Sequence, residues 1–186
     1  MSVSGLVDSY RDHVRLPWRG SLSPAERVWM LVYQPDEERR VRARLPQLAQ
    51  VTEAAGHSWH EVDVTDEFGH WLAGHEYAEV LIADPTNLTS ALLEGFDEHV
   101  AETVRQALIA PDVDERSVVA VVGTGALYPF IRASHLVETV DRDVRGRLLV
   151  LFPGRHDEAT HSYRLLDARD GFNYRAIAIT HTKDHP

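Results

Sequence analysis

The sequence predicts a single α/β domain over residues 1–186, with a mainly parallel sheet flanked by helices and a C-terminal hairpin or edge strands. Short apolar runs rich in β-branched residues alternate with amphipathic helical segments, which is the pattern of a parallel sheet covered on both faces. Two of these runs are unbroken, Val28–Tyr33 and Val118–Val122, and Arg147–Phe152 has five apolar residues in a row after its arginine, as is typical of strands buried on both sides. With 186 residues and 44% hydrophobic content, the chain can enclose a sizeable core.

The first part of the chain is predicted to alternate helix, strand, helix and strand. Residues 1–16 have the apolar spacing of an amphipathic helix, and Val28–Tyr33 forms the first strand. The acidic run Asp36–Glu38 then suits the start of a helix, where the helix dipole favours negative charge. Pro46 predicts a kink or a break inside that helix. The alternating stretch His57–Val64 predicts the second strand.

The central part of the chain is predicted to be mainly helical before the next strand begins. Residues 66–83 have helical spacing, although residues 77–85 fit either a helix end or a short strand. A long helix is predicted over residues 88–110, because its apolar residues recur at intervals of three and four.

The turn that follows Val118–Val122 is the first candidate for a working surface. Gly123 and Gly125 predict a tight turn off the end of this strand, and Pro129 is predicted to begin a helix. In an open α/β sheet, ligands and partners dock at the loops that follow the carboxyl ends of the strands. The alternative is a plain connection whose aromatic rings pack into the core.

The C-terminal part is predicted to contain the third buried strand and two shorter ones. Arg147–Phe152 ends at a Pro-Gly pair, and the polar residues 155–161 are predicted to form a loop. The turn chemistry of Asp167–Gly171 predicts a hairpin between two strands. These strands are Tyr163–Leu166 and Tyr174–Ile179, and residues 182–186 are expected to be a frayed tail.

Charge and composition narrow the class of protein. The formal net charge of -10 disfavours direct binding of nucleic acid, because an acidic chain repels a phosphate backbone. There are no cysteines, so disulfides, thiolate catalysis and cysteine-based zinc sites are excluded, which fits a reducing cytosol. No signal-peptide pattern and no apolar stretch of about 20 residues are found. We therefore expect a cytoplasmic protein without membrane contact.

Motifs for nucleotide binding are missing. A phosphate-binding loop needs glycines followed by Lys and Ser or Thr directly after a strand. The first strand is followed instead by QPDEER, and the only lysine is Lys183 in the tail. The stretch GTGALY, which follows the strand Val118–Val122, lacks the final glycine of the dinucleotide fingerprint.

Metal-binding and nucleophilic motifs are equally weak, so no cofactor, metal or catalytic residue is expected. The histidine pairs do not form an HExxH motif, and no GxSxG motif is present. Ser134 and His135 are neighbours on a predicted helix, which points them apart. Asp84 is the best single candidate for an acid or base, and a turn residue before Pro85 is its favoured alternative.

What remains is a set of apolar, aromatic and amide side chains at loop tips. Tyr, Phe and Arg in such positions are typical of protein interfaces, although aromatic residues are also common in cores. The predicted partner interface consists of Leu127, Tyr128, Pro129, Phe130, Arg132, Asn173 and Tyr174.

Three motifs in order carry a resemblance to a known family: GALYPFIRASHLVE, RLLVLFPG and YRLLDARDGFNYRAIAI. They resemble the motifs of the BrxB family of BREX phage-defence systems. The resemblance rests on Gly125–Arg132, Phe152–Gly154 and Leu165–Tyr174, and the N-terminal VWMLVYQPDEERRVRARLPQL also resembles the family. One departure is Arg155, where the family pattern leads us to expect an acidic residue.

The resemblance implies a small cytoplasmic accessory subunit, and the lack of usable catalytic groups in the sequence favours a non-enzymatic assembly role. In such systems the family acts with a large ATPase, an adenine-specific DNA methyltransferase and PglZ, a protein of the alkaline phosphatase superfamily. It also implies a P-loop-NTPase-like core that lacks the phosphate loop, and PglZ as the direct partner. The alternative is a nucleotide sensor or an enzyme that uses the sheet-end cleft, with Asp84 and Arg132 in polar roles.

Overall fold

The computed structural model describes residues 3–159, 162–166, 168–169 and 176–180. It contains a seven-stranded sheet, in which five parallel strands follow the order β2-β3-β4-β1-β7. The strands are β1 Val28–Tyr33, β2 Ser58–Asp63, β3 Ser117–Val122, β4 Arg147–Asp157, β5 Ser162–Leu165, β6 Ala168–Arg169 and β7 Ile177–Ile179. The helices are α1 Val3–Val14, α2 Glu38–Arg42, α3 Leu45–Ala54, α4 Glu67–Ala73, α5 Ala78–Ala83, α6 Ser90–Leu108 and α7 Ala133–Val140. The predicted α/β class with a mainly parallel sheet is confirmed.

The sheet separates two hydrophobic cores. In β1, Val28, Met30 and Val32 face the core under α6 and α7, whereas Trp29 and Leu31 face the core under α1 and α3. Because both faces are covered, all six residues of β1 and all six of β3 are buried. This double burial explains why these strands appear in the sequence as unbroken apolar runs.

The edge strand β2 is only partly buried, which is the origin of its alternating pattern. It pairs in parallel with β3 alone, from Ser58 opposite Ser117 to Asp63 opposite Val122. The strand predicted over His57–Val64 is therefore confirmed, although it lies at the sheet edge.

The helical predictions of the first two thirds hold with local changes. The helix after β1 breaks at residues 43–44 into α2 and α3, and Pro46 lies at the second position of α3. Proline is tolerated there, since the first-turn N–H groups have no partner within the helix. Residues 77–85, for which the sequence left two alternatives, contain helix α5. The long helix is α6, capped by the Thr89 hydroxyl, which accepts a hydrogen bond from the Leu92 N–H.

Strand β4 is longer than the sequence predicts, and the loop prediction for residues 155–157 is wrong. The strand continues through Pro153 and Gly154 to Asp157, and its last residues pair antiparallel with β5. A Cβ atom on Gly154 would lie 1.9 Å from the carbonyl oxygen of Arg164, so only glycine permits this close pairing. Pro153 is accommodated opposite Tyr33, at the last position of the β1–β4 pair.

Of the two C-terminal alternatives that the sequence left open, the edge strand is confirmed, whereas the hairpin between Tyr163–Leu166 and Tyr174–Ile179 is wrong in its pairing. β7 pairs in parallel with β1 and forms the opposite edge of the sheet, whereas β5 pairs antiparallel with β4 and with β6. Asp167, the segment 170–175 and the predicted tail 182–186 lie outside the described residues. In the part of the chain that the structure describes, no helix combines the length and apolar character needed to cross a membrane.

Candidate functional site

A crevice opens at the carboxyl edge of the parallel sheet, above the ends of β1, β3 and β4. The chain leaves β1 toward α2 and α3 on one face, and leaves β3 toward α7 on the other. Such a reversal is where α/β folds bind ligands. The crevice has a volume of about 290 Å³ and is lined by Pro35, Glu38, Arg42, Thr65, Gly123, Gly125, Ala126, Pro153 and Leu166.

Arg42 is the main polar group of this crevice, and it is held by side chains of the same chain. Its Nε donates to Glu38 Oε1 at 2.9 Å, and its Nη1 donates to Asp63 Oδ2 at 2.8 Å. Its Nη2 donates to the hydroxyl of Thr65. Tyr33 adds a hydrogen bond from its hydroxyl to Glu38 Oε2 at 2.6 Å. The guanidinium therefore joins α2 to the loop after β2.

The charges of this cluster shift one another's pKa values. The hydrogen bond to Asp63, with that to Glu38, raises the pKa of Arg42. Burial opposes ionisation of Asp63, but hydrogen bonds from Arg42 and Thr65 outweigh it and lower the Asp63 pKa. Burial and the adjacent Glu38 carboxylate raise the pKa of Tyr33. Arg42 therefore lies between the carboxyl groups of Glu38 and Asp63.

Gly123 makes the close approach of this cluster to β3 possible. Its φ of +86° lies in the left-handed region, as the predicted tight turn requires. A Cβ atom on Gly123 would lie 2.2 Å from Thr65 Oγ1 and 2.8 Å from Asp63 Oδ1. The backbone of the turn thus forms one wall of the crevice and packs against its polar cluster.

The turn itself, residues 123–132, is held by contacts with β4, with the hydrophobic core and with α4. The buried hydroxyl of Thr124 donates to the Leu151 carbonyl at 2.6 Å. Leu127 and Ile131 are buried in the core. Phe130 stacks on Phe68 of α4, with ring centroids 4.4 Å apart and an angle of 10° between the planes. The loop is therefore held in one shape by core contacts.

Pro129 does not begin a helix, contrary to the prediction. The amides of Phe130 and Ile131 both donate to the Leu127 carbonyl, which closes a turn around Pro129. Helix α7 begins only at Ala133. The Tyr128–Pro129 peptide bond is cis.

The predicted interface residues separate into an exposed set and a buried set. Tyr128 is 47% exposed, and Pro129 and Arg132 are exposed beside it. Leu127 is a core residue and Phe130 is half-buried, so these two shape the turn from within. Asn173 and Tyr174 were predicted with them and lie outside the described residues.

Comparison with known proteins adds the family. A family model described as BREX protein BrxB matches residues 75–179, which include the turn and all of β4. The chain belongs to the BrxB family. This membership makes it a component of a BREX phage-defence system. No significant match was found among curated proteins or among solved structures.

The BrxB match begins after the cluster around Arg42, so it covers the turn but not the opposite wall of the crevice. The N-terminal stretch that also resembles the family lies before the matched residues. The P-loop-like character of the core stays a prediction.

The other sequence candidates have local roles. The exposed carboxylate of Asp84 accepts hydrogen bonds from the hydroxyl and the amide of Thr86, which lower its pKa, as the turn alternative predicts. His135 Nε2 lies 2.8 Å from Asp97 Oδ2. Within the described residues, no group of three or more His, Cys, Asp or Glu side chains could hold a metal ion. Neither Asp84 nor Arg132 lines the crevice described above.

Sequence reasoning did not find the cluster of Glu38, Arg42 and Asp63. Two signals were present: a Glu–Arg pair four residues apart directly after β1, and Asp-Val-Thr at the end of β2. The first is common on solvated helices. The two signals meet only in the folded sheet, where Arg42 of α2 reaches Asp63 at the end of β2 although β3 and β4 separate β1 from β2.

Proposed function

We propose that this BrxB-family chain is a non-enzymatic assembly subunit that binds the PglZ protein of its BREX system through the turn at residues 123–132. The observation that carries the proposal is an exposed Tyr128, flanked by Pro129 and Arg132, on a loop fixed by core contacts. The proposal places the chain in the cytoplasm, with the BREX ATPase and methyltransferase as further members of a larger complex.

The rigidity of the turn supports this role. Binding a partner costs less entropy when the contacting loop is already held in one conformation. Leu127 and Ile131 anchor the loop on one side, and the stack of Phe130 on Phe68 anchors it on another. Tyrosine and arginine are enriched among the residues that contribute most to protein binding. Tyr128 and Arg132 are therefore the side chains expected to contribute most.

The occupied state of Arg42 supports a non-enzymatic role. Its Nε, Nη1 and Nη2 all donate to side chains of this chain, so a phosphate would have to displace Glu38 or Asp63. Displacement would leave carboxylates beside the ligand, which repel it.

The test is co-purification of the chain with PglZ. The variant combines Tyr128→Ala with Arg132→Ala and leaves Phe130 intact, because Phe130 belongs to the packing of the turn. Loss of a central interface residue costs about 2 kcal/mol, so binding should weaken by roughly 30-fold. Leu16→Ala is the matched control, since Leu16 is 56% exposed and follows α1. Unchanged complex formation by the folded double variant would remove the turn from the interface.

A second candidate is a nucleotide sensor, and the observation that favours it is the position of the crevice at the reversal point of the sheet. The measurement is calorimetric titration with ATP and GTP. The assembly role predicts no binding. Micromolar binding by the natural chain that is lost in Arg42→Met would favour the sensor.

A further inference from the structure

Residues 77–82, which include most of α5, carry three of the seven large hydrophobic side chains that are exposed among the described residues. Tyr77, Val80 and Ile82 are 58%, 56% and 64% exposed. Only Leu81 of this helix is buried, and it anchors α5 to the rest of the fold. Val80 and Ile82 lie on opposite flanks of the helix, one on each side of the buried Leu81, and Tyr77 directly precedes α5. Single exposed apolar side chains need no explanation, but three that project from one short segment favour a contact surface.

The segment around α5 is regularly folded, so its exposure is not that of a frayed end. The Ala78 amide donates to the His75 carbonyl, and the Leu81 amide donates to the Tyr77 carbonyl. The Asp84 amide closes the helix by donating to the Val80 carbonyl. Helix α5 contacts α4 and the 3-10 turn Pro85–Asn87 that follows α5. Within the described residues, nothing covers the exposed side chains of Val80 and Ile82.

The part of the sequence that contains this apolar surface is strongly acidic. Between residues 45 and 104 the chain has 12 Asp and Glu and neither Lys nor Arg, whereas the whole chain has 29 acidic residues and 19 Lys and Arg. The excess negative charge of the protein therefore lies entirely in the segment that contains α3, β2, α4, α5 and most of α6. Glu76 and Glu79 border these side chains in the sequence and, like Glu94 and Glu98 of α6, have no cationic side chain within ion-pair distance among the described residues.

We propose that α5 and its acidic rim form a second docking surface, which binds a partner protein whose apolar groove is bordered by Lys and Arg. The apolar side chains of α5 would fill the groove, and the glutamates would pair with the basic border. This surface goes beyond the interface proposed at Tyr128, and the two together would let one chain bridge two proteins.

The charge pattern selects a basic protein over other occupants. Nucleic acid and anionic lipid would be repelled by this surface. A symmetric dimer through α5 would bring two acidic rims together, which like-charge repulsion disfavours. A partner protein with a basic surface is therefore favoured both by the exposed apolar side chains and by the glutamates beside them.

The experiment measures binding of the full chain to each BREX protein of its own system, purified separately. Val80→Ser/Ile82→Ser removes two of the exposed apolar side chains without changing the buried Leu81. Glu76→Gln/Glu79→Gln removes two negative charges beside them. Tyr128→Ala/Arg132→Ala and Leu16→Ser are the controls. One of these proteins should bind the natural chain, with an affinity that falls at least about tenfold between low and high salt. The serine variant should weaken this binding by about tenfold or more, and the glutamine variant should reduce its salt dependence.

Equal binding by the natural chain and the folded serine variant, in every pair tested, overturns the proposal. A change in the solution mass of the isolated chain on serine substitution also overturns it, because the surface would then join copies of the chain. Binding of the natural chain to phosphatidylserine vesicles that is lost in the serine variant also overturns the proposal, because the surface would then bind a membrane. Failure of the interface proposed at Tyr128 is recognised separately, since it affects only the Tyr128→Ala/Arg132→Ala variant.

Discussion

The guanidinium of Arg147 lies over the ring of Trp18, with Cζ 4.5 Å from the ring centroid. Arg147 is only 5% exposed, and among the described residues its Nε has no hydrogen-bond partner. Its Nη1 donates to the Gly146 carbonyl, and Trp29 presents a second ring at 5.7 Å. Burial, together with the nearby Arg27, lowers the Arg147 pKa. Aromatic rings rather than a carboxylate thus accompany this buried cation.

This environment predicts that Arg147→Met is tolerated. Replacing a buried charge with an apolar side chain of similar size is often neutral or stabilising, because the cost of desolvation disappears. We expect the free energy of unfolding in urea to change by less than about 1 kcal/mol, since loss of the cation–π contacts offsets part of the gain. Arg147→Ala should lower it by about 2 kcal/mol or more, because the alkyl stem also packs. A large loss in Arg147→Met would show that the charge itself stabilises the fold.

Two histidines near Arg147 predict loss of stability in mild acid. Burial and the charge of Arg147 lower the pKa of His13 below its ordinary value of 6.5. Burial, Arg116 and Arg147 lower that of His57, which stacks on Trp18 with centroids 3.6 Å apart. The unfolded chain then takes up protons at higher pH than the folded chain, so the free energy of unfolding falls as pH drops below about 6.5.

The measurement for this pair is urea unfolding at several pH values between about 7.5 and 5. His13→Gln/His57→Gln should flatten the dependence in this range. Asp63, whose pKa is lowered, contributes a separate loss near and below the ordinary range of carboxylates, about pH 4, as it becomes protonated. An equally steep dependence in the double variant between about pH 7 and 5 would assign it to other groups.

The sequence was sufficient for the elements whose residues determine them locally. The unbroken apolar run of β3 and the glycine after it correctly predicted a buried strand and a tight turn. Strand pairing was not predictable in the same way. The turn residues Asp167–Gly171 suggested a hairpin between the two strands beside them, because turn chemistry acts over only a few residues. β7 instead pairs with β1, nearly 150 residues away.

The candidate site shows the same division between local features, which the sequence predicts, and long-range contacts, which it does not. The position of the turn followed from local pattern, whereas the exposure of Tyr128 and the burial of Leu127 depend on packing against the core. The Arg42 cluster joins α2 with the end of β2, so only the alignment of two parallel strands reveals it. No local rule indicates that alignment.

Gly123 is predicted to be irreplaceable in the turn. Gly123→Ala should lower the free energy of unfolding by at least about 1–3 kcal/mol, because alanine is strained at positive φ. Its Cβ would also meet Thr65 and Asp63, which adds to the loss. Gly69→Ala is the control, since Gly69 is exposed in α4 and a Cβ atom at this position would meet no other atom within 4 Å. Alanine there should be neutral or stabilising by up to about 1 kcal/mol. Equal effects of the two substitutions in urea unfolding would contradict the proposed constraint.

The two aromatic residues of the turn are predicted to separate stability from binding. Phe130 stacks on Phe68 and contacts Phe96 edge to face, so Phe130→Ala should lower the free energy of unfolding by about 2–3 kcal/mol. Tyr128 is 47% exposed, and Tyr128→Ala should change it by less than about 0.5 kcal/mol. Unfolding in urea measures both. Because loss of Phe130 would also disturb Tyr128, a binding defect is informative only in the Tyr128 variant. A large stability loss in that variant would mean that its ring holds the turn together, and the interface assignment would then have to rest on Arg132.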